Sequence, residues 1–397
     1  MKRIIAAVVI RAMLVSGVLA AEAEMPELDH PWTDGLYSTI TAPFCADGAK
    51  PRNAKWLKLR VDGMKSSVRA RAVIQKDSAP LVVILNGTFG RSDDAATSLW
   101  MAWLEERGCH VVTFDSTFHQ AMTSASRHGM AGHLEVEAEL TGRIIQTFLQ
   151  HKDVAGKVTK VGVAGMSYGA TQALLLAKLD REGGLPFHLD AVQAYSAPVS
   201  VAASMRILDD AFTYDWRLSD LYWKFYNLRR EFPVREQYDP AMMRAAVARI
   251  FRLDLKQAVE QNDELFGDEV EPAGGSRLLP KDENKDQRLE YAAQVGFGGY
   301  YHCMAAPYWA KRGRPLDLNV GDLATLLRNT GGNVEAIVAR NDPLNEDGAV
   351  ERLAAAGLGS KLTVLPRGGH LGFANSNWVC AKLARIFGDA DMTLAVK

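Results

Sequence analysis

The sequence carries a serine between two glycines, in the segment Gly165-Met166-Ser167-Tyr168-Gly169. An apolar stretch at 160–165 precedes this serine, and a helical pattern beginning Tyr-Gly-Ala-Thr follows it. A strand, a sharp turn and a helix in this order expose a serine hydroxyl at the corner, where side chains on the flanking residues would collide with nearby backbone. We therefore interpret Ser167 as a nucleophile rather than as a helix cap alone.

A serine hydroxyl is a weak nucleophile at neutral pH, so it needs a base that a third group orients. Asp342 follows the strand predicted at 334–340, and His370 follows the strand predicted at 361–365. Because the carboxyl ends of parallel strands meet at one crevice, we expect these side chains to lie beside Ser167. The chain order Ser, Asp, His is the one that enzymes with this elbow use. We predict Ser167, Asp342 and His370 as the catalytic residues.

Other acidic and histidine residues are weaker candidates. Asp115 also follows a strand, but it precedes the serine in the chain, against the usual order. Loop histidines are more often surface or structural groups than catalytic ones. This applies to His119, His128 and His133, in the loop after the strand at 110–114, and to His302, among aromatic residues further along.

Acyl transfer also needs two backbone N–H donors that face the oxygen on which negative charge develops. We assign one donor to Tyr168, the residue after the nucleophile. The other donor should come from the loop at 86–90, Asn-Gly-Thr-Phe-Gly, where glycines let the backbone approach a substrate closely. We assign this second donor to Thr88, with Phe89 as the alternative.

Short apolar runs alternate with longer helical patterns around these residues. Two strands, 56–61 and 69–74, predict an antiparallel start, and the apolar run at 80–87 is typical of a strand buried on both faces. Together they predict an α/β fold, a mostly parallel central sheet with helices on both faces. The other predicted strands are 110–114, 160–165, 189–196, 334–340 and 361–365, and the helices are 93–107 (capped by Ser92), 134–150, 168–180, 347–357 and 377–387.

The chain between Ser196 and Val334 is much longer than one strand-to-strand crossover requires. Aromatic residues are concentrated within it, and helical spacing is plain in two segments, 218–226 and 240–251. We predict a mainly helical cap at 199–316 and a catalytic domain formed by 24–198 and 317–397. The charged run at 280–288 (PKDENKDQR) is interpreted as a solvated turn.

Four segments in this order, NGTFG, GMSYG, NDPL and GGHLGF, resemble the α/β-hydrolase superfamily across about 60–387, with a large cap between them. One departure is Asn86, where many members carry a histidine before the glycine. From Ser167, His370 and Asp342 we expect cleavage of a carboxylic ester or related acyl bond through an acyl-enzyme. The resemblance itself implies a serine hydrolase. It does not choose among esterase, lipase, thioesterase, peptidase and acyltransferase.

Three other functions stay open at this point. An acyltransferase would pass the acyl group from the same serine to an alcohol or amine. A binding protein would keep the fold without turnover. A peptidase acting on free N termini would bind the amine through acidic cap residues, namely Glu264, Asp268, Glu269 and Glu271, although such a run is usually solvated.

The first 23 residues predict a cleavable signal peptide. Lys2 and Arg3 precede apolar runs, and Ala21-Glu22-Ala23 is a small-x-small cleavage pattern. Arg11 splits the apolar stretch into pieces shorter than a spanning helix needs, so an uncleaved membrane anchor is the weaker alternative. We therefore expect a periplasmic or secreted protein with no stable membrane span after signal removal.

Composition narrows the partners. With 46 basic and 47 acidic residues the formal net charge is −1, which gives no basic field for nucleic acid. The aromatic cap favours a small acyl substrate with an apolar part. No Cys or His spacing suggests a metal, and we expect no cofactor. Pairing among Cys45, Cys109, Cys303 and Cys380 is open, although Cys109 opens an apolar strand as a buried thiol would, and the oligomeric state is open too.

Overall fold

A computed structural model describes residues 35, 38–39, 49–126, 129–212, 240–270, 279 and 283–387. Within these residues, eight strands form one sheet. The strands are β1 (Lys55–Leu59), β2 (Val68–Val73), β3 (Ala79–Leu85), β4 (His110–Phe114), β5 (Val158–Met166), β6 (Ala191–Tyr195), β7 (Val334–Ala339) and β8 (Leu362–Leu365).

Helices connect most of these strands. The helices that precede β6 in the chain are α1 (Ala95–Glu106), α2 (Gln120–Ala125), α3 (Leu134–Leu149) and α4 (Tyr168–Arg181). Those between β6 and β7 are α5 (Val201–Asp210), α6 (Pro240–Phe266), α7 (Lys285–Gln294), α8 (Phe297–Tyr300), α9 (Ala306–Lys311) and α10 (Leu323–Arg328), with a π-helical turn (Tyr301–Ala305) between α8 and α9. The last two are α11 (Ala349–Ala354) and α12 (Asn377–Ala384).

The sheet has the order β1-β2-β4-β3-β5-β6-β7-β8. β1 and β2 pair antiparallel, as do β2 and β4, and every later neighbour pairs parallel. Every residue of β4 and of β6 is buried, as expected for strands covered on both faces. One apolar cluster includes residues of α3 and α4, and a second includes residues of α1 and α12. The predicted α/β fold and its antiparallel start are confirmed.

One predicted helix cap is wrong. Helix α1 begins at Ala95 with Asp94 in the N-cap position, two residues later than expected. Ser92 is buried and donates its hydroxyl hydrogen to Asp115 Oδ1 at 2.7 Å, while its N–H donates to the same oxygen at 2.8 Å. Ser92 therefore hydrogen-bonds to Asp115, directly after β4, and does not cap helix α1.

Most of the described residues between β6 and β7 are helical, with irregular segments such as 312–317 and 329–333 between the helices. The segment 240–251 lies within α6, as its spacing predicts, whereas the aromatic patch at 213–239 lies outside the described residues. Tyr300 Oη donates to Ala131 O at 2.8 Å and Trp309 Nε1 donates to Met130 O at 3.1 Å, so this region packs on the loop after α2. The cap boundaries 199–316 and the two-part domain of 24–198 and 317–397 stay predictions.

The charged run at 280–288 is not a solvated turn throughout. Its second half is the start of α7, where Asn284 and Gln287 form a reciprocal capping box. Arg288 is buried and pairs with Asp263 through a 2.8 Å contact. Charge content alone did not reveal this pairing, because the acidic partner lies on α6.

The predicted signal peptide, 1–23, lies outside the described residues. Among the residues that are described, no helix is long and apolar enough to cross a membrane.

Candidate active site

Ser167 occupies a single-residue corner between β5 and α4. Its backbone has φ 54° and ψ −120°, a conformation that costs free energy for a residue with a side chain. The sheet holds it there, because the Ser167 N–H donates to Tyr195 O at 2.8 Å and so extends the β5–β6 ladder. The corner therefore places the serine hydroxyl at the carboxyl edge of the sheet.

The glycines on either side of this corner are required by close approach. A Cβ on Gly165 would lie 2.2 Å from the carbonyl oxygen of Gly169. A Cβ on Gly169 would lie 2.4 Å from the carbonyl oxygen of Leu85, at the end of β3. Helix α4 thus starts directly against the neighbouring strand, as the motif predicts.

The three predicted catalytic side chains form one hydrogen-bonded chain. Ser167 Oγ lies 2.8 Å from His370 Nε2, and His370 Nδ1 lies 2.9 Å from Asp342 Oδ2. The other carboxylate oxygen of Asp342 accepts the Leu344 N–H at 2.9 Å. All three side chains are buried. With Nδ1–H donated to the carboxylate, Nε2 is free to accept the serine proton, which is the arrangement of a general base next to a nucleophile.

The loop that carries His370 is fixed by three polar residues that sequence reasoning missed. The His370 N–H donates to Thr39 Oγ1 at 2.8 Å, and the Gly369 N–H donates to Asn341 Oδ1 at 2.9 Å. The Leu371 N–H donates to Ser196 Oγ at 3.0 Å. Asn341 precedes Asp342 directly, and Ser196 is the first residue after β6, so both positions carried a signal in the sequence.

Thr39 had no such signal in the sequence, because it lies 331 residues before His370 and in no recognisable motif. Its hydroxyl donates in turn to Gly35 O at 2.7 Å, so it accepts from one backbone and donates to another.

The loop after β3 lies against the serine. A Cβ on Gly87 would be 3.3 Å from Ser167 Cβ, and the Gly90 N–H closes a turn onto Gly87 O at 2.9 Å. Phe89 has φ 61° within this turn. The loop brings Thr88 and Phe89 close to the nucleophile, and the assignment of the donor to Thr88 stays a prediction. As the first residue of α4, Tyr168 offers an N–H at a helix N-terminus, where such groups lack intrahelical acceptors.

Asn86 anchors this loop through its side-chain amide. Its Nδ2 donates to Phe114 O at 2.7 Å and to Thr113 Oγ1 at 3.1 Å, while its Oδ1 accepts the Thr97 hydroxyl at 2.5 Å. The residue that departs from the superfamily pattern is therefore a buried, fully bonded link between the end of β3, the end of β4 and α1.

A cavity of about 660 Å³ opens beside His370 and the 86–90 loop. This volume falls in the range of small-molecule sites. Its lining is mixed, and the larger apolar side chains in it come from five elements: Phe89, Phe118, Met166, Val247, Phe251 and Leu371. Two of these, Val247 and Phe251, belong to α6, so the region between β6 and β7 forms part of the wall.

Two carboxyl groups also line this cavity. Partial loss of hydration, and then the negative charge of Asp94, raise the pKa of Asp254 to about 6. The pKa of Asp94 is raised too, mainly by loss of hydration, although its bond from the Arg91 N–H opposes this. The cavity wall therefore becomes more negative as the pH rises through about 6.

The described alternative candidates are not part of the hydrogen-bonded chain of Ser167, His370 and Asp342. Asp115 accepts from Ser92 and lies 3.4 Å from His119 Nδ1, and His119 lines the cavity and caps α2. His133 caps α3, and burial lowers its pKa. His302 is exposed, and His128 lies outside the described residues.

The remaining candidates from the sequence are the acidic cap residues and the cysteines. Glu269 pairs with Arg312, while Glu264 and Asp268 are exposed and Glu271 lies outside the described residues. Cys109 is a buried thiol, as predicted, and loss of hydration raises its pKa to about 12. Cys303 and Cys380 are partly buried and carry no disulfide, and Cys45 lies outside the described residues.

A buried serine, histidine and aspartate joined by hydrogen bonds, with the serine at a strand-to-helix corner of a mostly parallel sheet, define the α/β-hydrolase class of proteins. Residues 82–381 match the sequence model of the Alpha/beta hydrolase family. This is well over half of the chain, and the protein belongs to that family. Among curated proteins, none matches the sequence significantly.

Solved structures of similar fold include several hydrolases. A membrane phospholipase A, described as a bacterial virulence factor, is 14% identical with a TM-score of 0.46, and the match covers 97% of this chain and 98% of the other. An esterase from Pyrobaculum calidifontis is 13% identical with a TM-score of 0.45, covering 89% and 90%. The esterase Pf2001 from Pyrococcus furiosus is 10% identical with a TM-score of 0.46, covering 84% and 88%.

The close approach at the corner gives a testable expectation. Gly169→Ala should lower kcat/KM for p-nitrophenyl acetate by about 100-fold or more, because the new methyl group must displace the Leu85 carbonyl and with it the 86–90 loop. Overpacking should also lower the free energy of unfolding by about 1–3 kcal/mol, measured from urea midpoints. Gly331→Ala is the matched control, since no atom lies within 4 Å of its Cβ position. Equal activity in the two variants would contradict the steric account.

Proposed function

We propose that this protein is a serine hydrolase that cleaves a carboxylic ester or a related acyl bond through an acyl-enzyme. The observation that supports this most directly is the chain of two short hydrogen bonds from Ser167 Oγ through His370 to Asp342. Family membership supports the same conclusion, because the matched region, 82–381, contains all three residues.

In the proposed reaction Ser167 Oγ attacks the acyl carbon while His370 Nε2 takes the hydroxyl proton. Asp342 stays ionised, and it orients the imidazole and stabilises the imidazolium that forms. His370 then gives the proton to the leaving oxygen, which departs as an alcohol. A water molecule attacks the acyl-enzyme in the second half of the reaction, with His370 again as the base, and releases the carboxylic acid and Ser167.

The negative oxygen of the tetrahedral intermediate is proposed to accept two N–H bonds. One comes from the backbone of Tyr168, at the positive end of helix α4, and the other from Thr88. The contact of Gly87 with Ser167 supports this placement, because it puts the 86–90 loop next to the nucleophile. Phe89 is the alternative second donor.

Ser167→Ala tests the proposed nucleophile. We expect kcat for short p-nitrophenyl esters to fall by about 10⁴-fold or more, since removal of a triad member leaves only the binding and oxyanion contributions. Ser66→Ala, at an exposed position, should leave kcat unchanged. Undiminished hydrolysis by Ser167→Ala would eliminate the assignment. A fluorophosphonate probe should label the parent protein and not the Ser167→Ala variant, and failure to label the folded parent protein would favour a binding function instead.

The apolar wall predicts a preference for substrates with an apolar part. Each methylene added to the substrate and buried in the cavity should raise kcat/KM about three- to fourfold, until the available space is filled. Phe251→Ala should weaken this dependence, because Phe251 lines the cavity. Leu265→Ala, an exposed position on the same helix α6, is the control. Equal kcat/KM across acetyl, butanoyl and hexanoyl p-nitrophenyl esters would contradict the prediction.

We also propose that the protein is exported, on the basis of the segment 1–23. Expression of the full chain in a Gram-negative host should give a periplasmic or secreted protein whose first residue is Glu24, as read by N-terminal sequencing or intact mass. A product that keeps Met1 and stays in the membrane fraction would instead support the uncleaved anchor.

A further inference from the structure

A second buried carboxyl group lies close to the site and is not a member of the Ser167-His370-Asp342 chain. Glu137 lies in the first turn of α3 and is almost completely buried. Its Oε1 accepts the Gly132 N–H at 2.5 Å, and its Oε2 accepts the Thr117 hydroxyl at 2.5 Å and the Tyr168 hydroxyl at 2.7 Å. These three donors are neutral.

Burial makes the ionised form of Glu137 unfavourable in free energy. Loss of hydration raises the pKa of Glu137, and the three hydrogen bonds, first the one from Thr117, oppose that rise. A glutamate is almost never fully buried without a partner, because taking an ionised carboxylate out of water carries a large penalty. The donors that offset this penalty come from three separate segments, so the carboxyl group joins them in one place.

The first segment that it holds is the start of α4. Tyr168 follows Ser167 directly, and its backbone N–H is one of the two donors proposed for the oxyanion. The side chain of Tyr168 is buried, with its hydroxyl on Glu137 and its ring against the ring of Phe118, at 5.4 Å between centroids and 78° between planes. The hydroxyl and the ring of Tyr168 are therefore both held in place.

The second segment leads to the other donor loop. Thr117, which donates to Glu137, precedes Phe118 in the chain. The Phe118 ring also makes an edge contact with Phe89, at 5.6 Å and 72°. Phe89 lies in the 86–90 loop and has φ 61°, a strained conformation that persists only when its surroundings hold it. Glu137 is thus linked through Thr117 and Phe118 to the loop opposite Tyr168.

We propose that Glu137 is a positioning residue of the oxyanion hole: it fixes the Tyr168 backbone through the phenol hydroxyl and the 86–90 loop through Thr117 and Phe118. This inference rests on the proposed serine hydrolase function. Glu137 itself does not touch the substrate. Its effect is on the distance between two N–H groups and the developing oxyanion, a distance for which an error of about 1 Å can cost about 100-fold in rate.

Two conservative variants test the proposal. Tyr168→Phe removes the hydroxyl and keeps the ring. Glu137→Gln keeps the shape, but its NH₂ group replaces an acceptor oxygen, so the network must rearrange around Thr117 and Tyr168. We expect each variant to lower kcat by about 10- to 100-fold and to leave KM within about twofold, because the contacts concerned form only in the transition state.

The double variant should be little slower than the slower single variant, since both changes break one link. If the double variant were instead slower by the product of the two single effects, Glu137 and Tyr168 would act separately, and the proposal would be overturned.

Inhibitor affinity separates positioning from general damage to the fold. A trifluoromethyl ketone forms a tetrahedral adduct with an oxyanion, so its Ki should rise by the same factor by which kcat/KM falls. A p-nitrophenyl alkyl ether, which resembles the bound ester and forms no oxyanion, should keep its Ki. Unchanged trifluoromethyl ketone affinity in both variants would overturn the proposal. Equal loss of affinity for both inhibitors would indicate a merely structural role and would overturn it too.

Controls use the same chemical change elsewhere. Tyr308→Phe also removes the hydroxyl of a buried tyrosine, but this side chain lies on α9 and is not among the partners of Glu137; its ring packs against Phe266 at 5.3 Å between centroids. It should leave kcat and both inhibitor constants unchanged. Rates are expressed per site labelled to completion by a fluorophosphonate, which removes differences in folded fraction. Full activity of Ser167→Ala would refute the proposed function, whereas normal oxyanion affinity in Glu137→Gln and Tyr168→Phe would refute this inference alone.

Discussion

The structure depends on one constraint, which is that the chain must change from strand to helix at a single residue. Ser167 meets it by adopting a backbone conformation that is unfavourable for a residue with a side chain. The ladder bond to Tyr195 and the contact of Gly169 with the end of β3 hold that conformation in place. Because the corner is this tight, the serine, the start of α4 and the loop after β3 all lie within a few ångströms of one another. The geometry needed for acyl chemistry follows from that crowding.

Much of this arrangement could be predicted from local pattern. Apolar runs at 80–87 and 160–165 predict buried parallel strands, and the glycines around Ser167 predict the corner, because both depend on residues next to one another in the chain. The placement of Asp342 and His370 after later strands follows from the rule that strand ends meet at one edge. Side chains that join distant segments were not predictable in this way. Thr39, Glu137 and the pairing of Arg288 with Asp263 depend on contacts between elements whose separation in sequence carries no periodic signal.

Polar groups near the site fall into two kinds, and the difference is one of hydration. Asn86, Glu137 and Asp342 are buried with their hydrogen bonds made inside the protein, so they fix backbone and side-chain positions. Asp94 and Asp254 face the cavity, where partial loss of hydration raises their pKa values. The first kind gives rigid geometry, and the second gives the cavity wall a charge that varies with pH. A substrate with an apolar part would meet both kinds, with the reacting bond at the rigid end.

The bond between Thr39 and the His370 backbone has a consequence for how the protein becomes active. Thr39 and His370 are 331 residues apart, and both must be in place before the histidine loop has all its supports. A chain that emerges from the ribosome N-terminus first cannot complete this contact until His370 is available, long after Thr39 has appeared. This support of the histidine loop should therefore form late in folding, and a protease that removed the segment through Thr39 would leave Ser167, Asp342 and His370 in the chain while loosening the imidazole.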